Sequence, residues 1–133
     1  MFTLEQYSGG FILPPDHLEN ARKLIVDCTR LYNAMVKEGV NFKINPVTKS
    51  NISGIRWGGY RTPECTEGAP KSNHRIGGAV DWYDPDGEID AWLSLHPIAL
   101  YDHGIFIEHP DKTPGWSHWS NMQPKSGKHI FYP

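Results

Sequence analysis

Between Asp16 and Gly39, apolar side chains recur at Leu18, Ala21, Leu24, Ile25, Cys28, Leu31, Tyr32 and Met35. Steps of three and four residues place them all on one helical face, in a stripe wider than about 100°, as expected of a helix lying against a sheet. The pattern predicts a helix over about residues 17–38, with Asp16 as N-cap, Glu19 completing an Asp-x-x-Glu capping box, and Gly39 as the stop. Residues 1–13 carry Gly9-Gly10 and run into Pro14-Pro15, which predicts an extended N-terminal arm with one short strand at 11–13. Val40 to Ile44 reads as a short strand and 45–51 as a polar turn or loop. Ile52 to Tyr60, with Gly54, Gly58 and Gly59 among apolar residues, reads as an irregular strand with bulges or a backbone pressed against a neighbour.

In the second half, Ala79 to Tyr83 reads as a strand and Asp84-Pro85-Asp86-Gly87 as a turn. A short helix is expected over 89–95, capped near Asp86 or Glu88 and ended by His96-Pro97. Residues 104–108 and 116–120 flank a turn-rich stretch and predict a hairpin, and 129–132 a last strand or apolar clasp. There is no internal repeat and no low-complexity segment.

Length and charge narrow the classes. A chain of 133 residues and 15.1 kDa fits one domain, here 1–133, with 11 prolines and 13 glycines implying many turns. The net charge of −2, without a run of Lys or Arg, offers no footprint for nucleic acid. No apolar run approaches the roughly 20 residues of a membrane span. The start Met-Phe-Thr-Leu-Glu lacks a basic region followed by an apolar stretch, so synthesis as a soluble cytoplasmic protein without signal peptide is expected. Cys28 falls on the helical stripe as a core residue and Cys65 in a polar loop, and no disulfide is expected between them.

The candidate chemistry lies in Ser-Asn-His-Arg-Ile-Gly-Gly-Ala-Val-Asp, residues 72–81. His74 precedes Asp81 by seven residues, and the Gly77-Gly78 pair lets the backbone fold back so that the two side chains meet. Alternation puts Asp81 on the face opposite Val80 and Trp82. A third ligand candidate is His118, which shares a strand face with Trp116 and Ser120. The plain alternatives are a surface histidine before a turn aspartate, and a core histidine bonded to backbone. Two imidazoles and a carboxylate suit zinc, and three protein ligands leave a fourth position for water, whose pKa zinc lowers to about 7. That combination points to hydrolysis.

Ser72-x-His74-x-x-Gly77-x-Ala79-x-Asp81, preceded by Gly59-Tyr60-Arg61-Thr62-Pro63 and followed by Trp116-x-His118, resembles the M15 family of zinc D-Ala-D-Ala carboxypeptidases and related peptidoglycan endopeptidases, small bacteriophage-type members above all. The resemblance spans roughly residues 50–133. It implies an α+β fold of the hedgehog and D-Ala-D-Ala peptidase kind, in which a small antiparallel sheet carries the metal site and one long helix packs on it. It implies zinc on His74, Asp81 and His118, and the peptidoglycan stem peptide as partner. Many members place the catalytic base three residues before the second histidine, where this chain has Gly115. Small members resemble an arrangement with the acid on the preceding strand, which fits Glu108, with Asp102 the next choice. Arg61 matches a carbonyl or carboxylate clamp, with Arg56 and Arg75 as alternates, and Ser72 is expected to orient His74 or touch substrate. Trp57 and Trp116 are the expected substrate contacts, the other aromatics mostly core. A phage lysis or tail-associated role on the cell wall, as a monomer, completes the expectation. The alternative class is a zinc-containing cell-wall-binding or structural phage protein without catalysis.

Overall fold

A computed structural model describes all residues, Met1–Pro133. Helices α1 (Leu4–Ser8) and α2 (Pro15–Lys37) are followed by β1 (Ala79–Tyr83), α3 (Glu88–Leu95), α4 (Pro97–His103), β2 (Phe106–Glu108), β3 (Trp116–Ser120) and β4 (Ile130–Phe131). Short 3-10 turns occupy Asn73–Ile76 and Pro110–Lys112. The architecture is α+β, with one four-stranded sheet in the order β1-β3-β2-β4. β3 pairs antiparallel with both β1 and β2, as the hairpin expectation requires. The sheet is mixed rather than antiparallel, because β4 returns alongside β2 in parallel, Ile107 opposite Ile130.

The α2 stripe behaves as its spacing dictates. Ala21, Leu24, Cys28, Leu31 and Met35 are buried, and Leu18, Ile25 and Tyr32 pack against the same core. One cluster joins them to Val80 and Trp82 of β1, Ile107 of β2 and Trp119 of β3, the sheet face turned from the ligands. Burying each large side chain contributes about 1.5–3 kcal/mol, so this face holds the sheet in place. Helix α2 ends as a Schellman turn: Val40 N–H reaches Met35 O, Gly39 N–H reaches Val36 O, and Gly39 has φ 91°.

Its start differs from expectation. Pro14 is the cap residue, no side chain caps the helix, and Asp16 lies inside the first turn. Proline at N1 has no N–H to satisfy and a φ already suited to a helix, so the Asp16 box is superseded. The arm is not extended either. Thr3 and Gln6 form a reciprocal capping box for α1, Gly9 closes it with φ 64°, and residues 11–13 form no strand. Tyr7 of α1 donates its hydroxyl to Ala79 O, 2.8 Å away, and accepts from Tyr60 N–H through its carbonyl, which ties the arm to the ligand strand.

Residues 40–44 form no strand, and 52–60 contribute only a bridge from Ile52 to Trp82 before breaking into turns. The close backbone approach expected there is present: a Cβ on Gly59 would sit 2.3 Å from Tyr7 O, and one on Gly58 2.3 Å from Ser53 O. Helix α3 is begun by the Asp84 carboxylate, which accepts from Ile89 N–H and Asp90 N–H, rather than by Asp86 or Glu88. His96-Pro97 ends α3 and also opens α4 with Pro97 in its first turn. Cys28 and Cys65 are free thiols, and Cys65 is buried within its polar loop.

Candidate metal centre

Each ligand candidate is fixed by a different element. His74 sits in the 3-10 turn 73–76, which Gly77 ends with φ 82° and a Cα so close to α2 that an added Cβ would stand 2.5 Å from His17 O. Asp81 is mid-strand in β1, and His118 is its direct partner on β3. The three converge: His118 Nδ1 lies 2.9 Å from Asp81 Oδ1, His74 Nε2 lies 3.2 Å from the same oxygen, and the two ring nitrogens are 3.3 Å apart. All three residues are buried, with ligand atoms within 4.8 Å of one another.

The donor chemistry fits a cation. The other nitrogen of His74, Nδ1, is 2.8 Å from Gly59 O, a carbonyl that can only accept. Nδ1 therefore carries a proton, which leaves Nε2 as the nitrogen aimed at Asp81 and His118, and a bond of this kind to a carbonyl commonly orients metal-bound histidines. Two nitrogens and an oxygen crowded this closely, with few protons to share, can hold a metal ion.

Asp81 divides its carboxylate. Oδ1 faces the imidazoles, and Oδ2 accepts from Arg61 Nη2 at 3.3 Å. Burial alone raises its pKa, but the charge of His74 and hydrogen bonds from both histidines prevail and hold it well below the usual carboxylate range. For His118 burial acts downward, yet the hydrogen bond and charge of Asp81, with Glu108 nearby, raise it overall. Arg61 is further fixed by Nε donating to Trp57 O at 2.9 Å.

A cleft of about 800 Å³ opens over these groups. Trp57, Arg61, Ser72, Glu108 and Trp116 all line it together with His74, Asp81 and His118, whereas the alternates Arg56 and Arg75 do not. Continuing the β2–β3 register from Ile107 opposite Trp119 brings Glu108 abreast of His118. Asp102 is exposed on α4 and does not line this cleft. Ser72 does not contact the His74 ring: its hydroxyl accepts from His74 N–H at 3.3 Å, capping the turn, and the ring is oriented by Gly59 O. His103 and His129 each hold a backbone carbonyl through Nδ1, of Ala99 and Ile105, while His109 accepts from Asp111 N–H.

Two contributors carry no signal in the sequence. The Gly59 carbonyl is backbone, which no motif of side chains reveals. Asp90 accepts from Ser117 and Thr113 hydroxyls, and Ser117 accepts from the Trp119 indole N–H, so a buried network braces β3 from behind His118. No helix is long and apolar enough to cross a membrane. No protein-family model, curated protein or solved structure matches this chain at a significant level.

Proposed function

We propose that this protein is a zinc-dependent peptidase that hydrolyses peptide bonds in the stem peptides of bacterial peptidoglycan, on a hedgehog and D-Ala-D-Ala peptidase-like scaffold. The supporting observation is the convergence of His74 Nε2, Asp81 Oδ1 and His118 Nδ1 within 4.8 Å in the cleft that Glu108 and Arg61 also line. Bound zinc would supply Lewis acidity and make water nucleophilic near neutral pH. Glu108 takes the proton of the attacking water and returns it to the leaving amine. Arg61, held by Asp81 and the Trp57 carbonyl, offers a pre-oriented guanidinium to the negative charge that develops on the scissile carbonyl. Trp57 and Trp116 contact the peptide. The peptidoglycan substrate is favoured by the motif resemblance and by a cleft large enough for several residues of chain. Acting on the cell wall as a phage lysis or virion-associated enzyme belongs to the same proposal.

One observation favours a second reading, a zinc-bearing cell-wall-binding protein without turnover. Gly115 stands where many members of the resembled family carry the base, and its φ of 84° suits glycine rather than an acid. Mass spectrometry of products from defined muropeptides, with zinc and with a chelator, separates the two. Zinc-dependent release of one peptide fragment is expected. Wall binding without release from any purified peptidoglycan puts the second reading in its place.

A further inference from the structure

The stretch between Arg61 and Ser72 forms one wall of the cleft, presenting the acid Glu67 and the base Lys71 to it. It contains no helix or strand, yet Thr62 and Cys65 are buried. One side chain reaches three of its carbonyls. Arg75 donates Nη2 to Cys65 O at 2.8 Å, Nη1 to Thr62 O at 3.2 Å and Nε to Ala69 O at 3.3 Å. Three carbonyls spread over eight residues of loop thus share one guanidinium, which grows from the turn that carries His74. A planar group with five donors in a fixed fork can do this, and a lysine ammonium on a flexible stem cannot. The same loop returns at Gly68 directly over Arg61, where an added Cβ would lie 2.4 Å from Arg61 Nη1. Arg61 itself is held from elsewhere, by Trp57 O and Asp81 Oδ2, so the loop can loosen without releasing it.

We infer that Arg75 is a positioning residue for substrate: it pins the 62–69 loop to the ligand-bearing turn, so that the wall which recognises the peptide is rigid and set at a fixed distance from the metal ligands. The inference rests on the peptidase reading of the cleft. Its own mechanical part is independent of turnover. Arg75 acts through the loop and not on the reacting atoms, so its loss weakens substrate capture while the proton-transfer machinery stays intact.

The test compares Arg75→Lys and Arg75→Ala with the parent, each loaded with zinc. Amide hydrogen exchange over residues 62–72 is expected to quicken in both variants, KM for a muropeptide to rise about tenfold or more, and kcat and bound zinc to stay within about threefold of the parent. Unchanged exchange overturns the inference. So does a fall in kcat at unchanged KM, or a loss of zinc, which would make Arg75 a support of His74 instead. Should Arg75→Ala not fold, Arg75→Lys, which keeps the charge, carries the comparison. If the parent itself releases no product, the peptidase reading fails separately; affinity for the intact stem peptide then replaces KM, and equal affinity in parent and variant overturns the inference.

Discussion

Asp81 and His118 are direct partners across the β1–β3 ladder, and the carboxylate oxygen of one lies 2.9 Å from the ring nitrogen of the other. Two of the three candidate ligands are thus set by strand register, and only His74 depends on a turn. Metal loading should therefore stabilise the whole sheet. The parent is expected to bind one zinc per chain and to lose thermal stability in chelator. A metal at about 100 times its dissociation constant contributes about 2.7 kcal/mol. His118→Ala should show neither effect in elemental analysis and calorimetry, and an equal chelator response in both proteins would sink the ligand assignment.

Glu108→Gln keeps the shape of the β2 strand end and removes the proton acceptor. Turnover is expected to fall by about 10²–10⁴ with zinc content unchanged. Retention of parental kcat in steady-state assays would move the base elsewhere.

Two glycines near the site should differ in cost. At Gly59 the obstacle to a Cβ is Tyr7 backbone, at 2.3 Å, whereas at Gly78 it is the flexible end of Met122, at 2.5 Å. Gly59→Ala is expected to destabilise by about 1–3 kcal/mol or more, and also to disturb the carbonyl that orients His74. Gly78→Ala should cost clearly less, because Met122 can change rotamer. Denaturant melts of the two variants check the order, and a costlier Gly78→Ala would contradict it.

Asp90 gives a pH signature. Burial pushes its pKa up to about 6, although hydrogen bonds from Ser117 and Thr113 pull it down and the charge of Asp84 adds to the rise. The folded chain then holds this proton more tightly than the unfolded chain. The stabilisation is complete below the ordinary value of 3.8 and is lost as pH rises through about 6. The unfolding free energy of the parent minus that of Asp90→Asn should thus be larger at pH 4 than at pH 7.5, by up to about 3 kcal/mol. Taking the difference removes titrations common to both proteins, and a flat difference across that range would show that Asp90 is not strained by its burial.

Asp81, His118 and the long helix were legible because each is written in side-chain periodicity: alternation fixed the faces of β1 and β3, and the stripe from Leu18 to Met35 fixed α2, whereas His74 was marked by its spacing from Asp81 across Gly77-Gly78. What escaped reading is written in the backbone. Proline is ambiguous between stop and start, so Pro97 hid α4 and Pro15 displaced the Asp16 cap. The two residues of β4 are too few for their pattern to state a direction, hence the parallel pairing went unforeseen. Arg61 was singled out for substrate, and its bond to Asp81 depends on a chain reversal that no spacing rule encodes.

The central place of β3 has a consequence for how the chain can go wrong. Trp119, buried in the core, and His118, facing the cleft, are neighbours on that strand. Sliding β3 by a single position would thrust the indole outward and drive the imidazole into oil. A mispaired molecule is therefore punished by its tryptophan before the convergence of His74, Asp81 and His118 is ever at issue, and proofreading of that geometry is delegated to the hydrophobic side of the sheet.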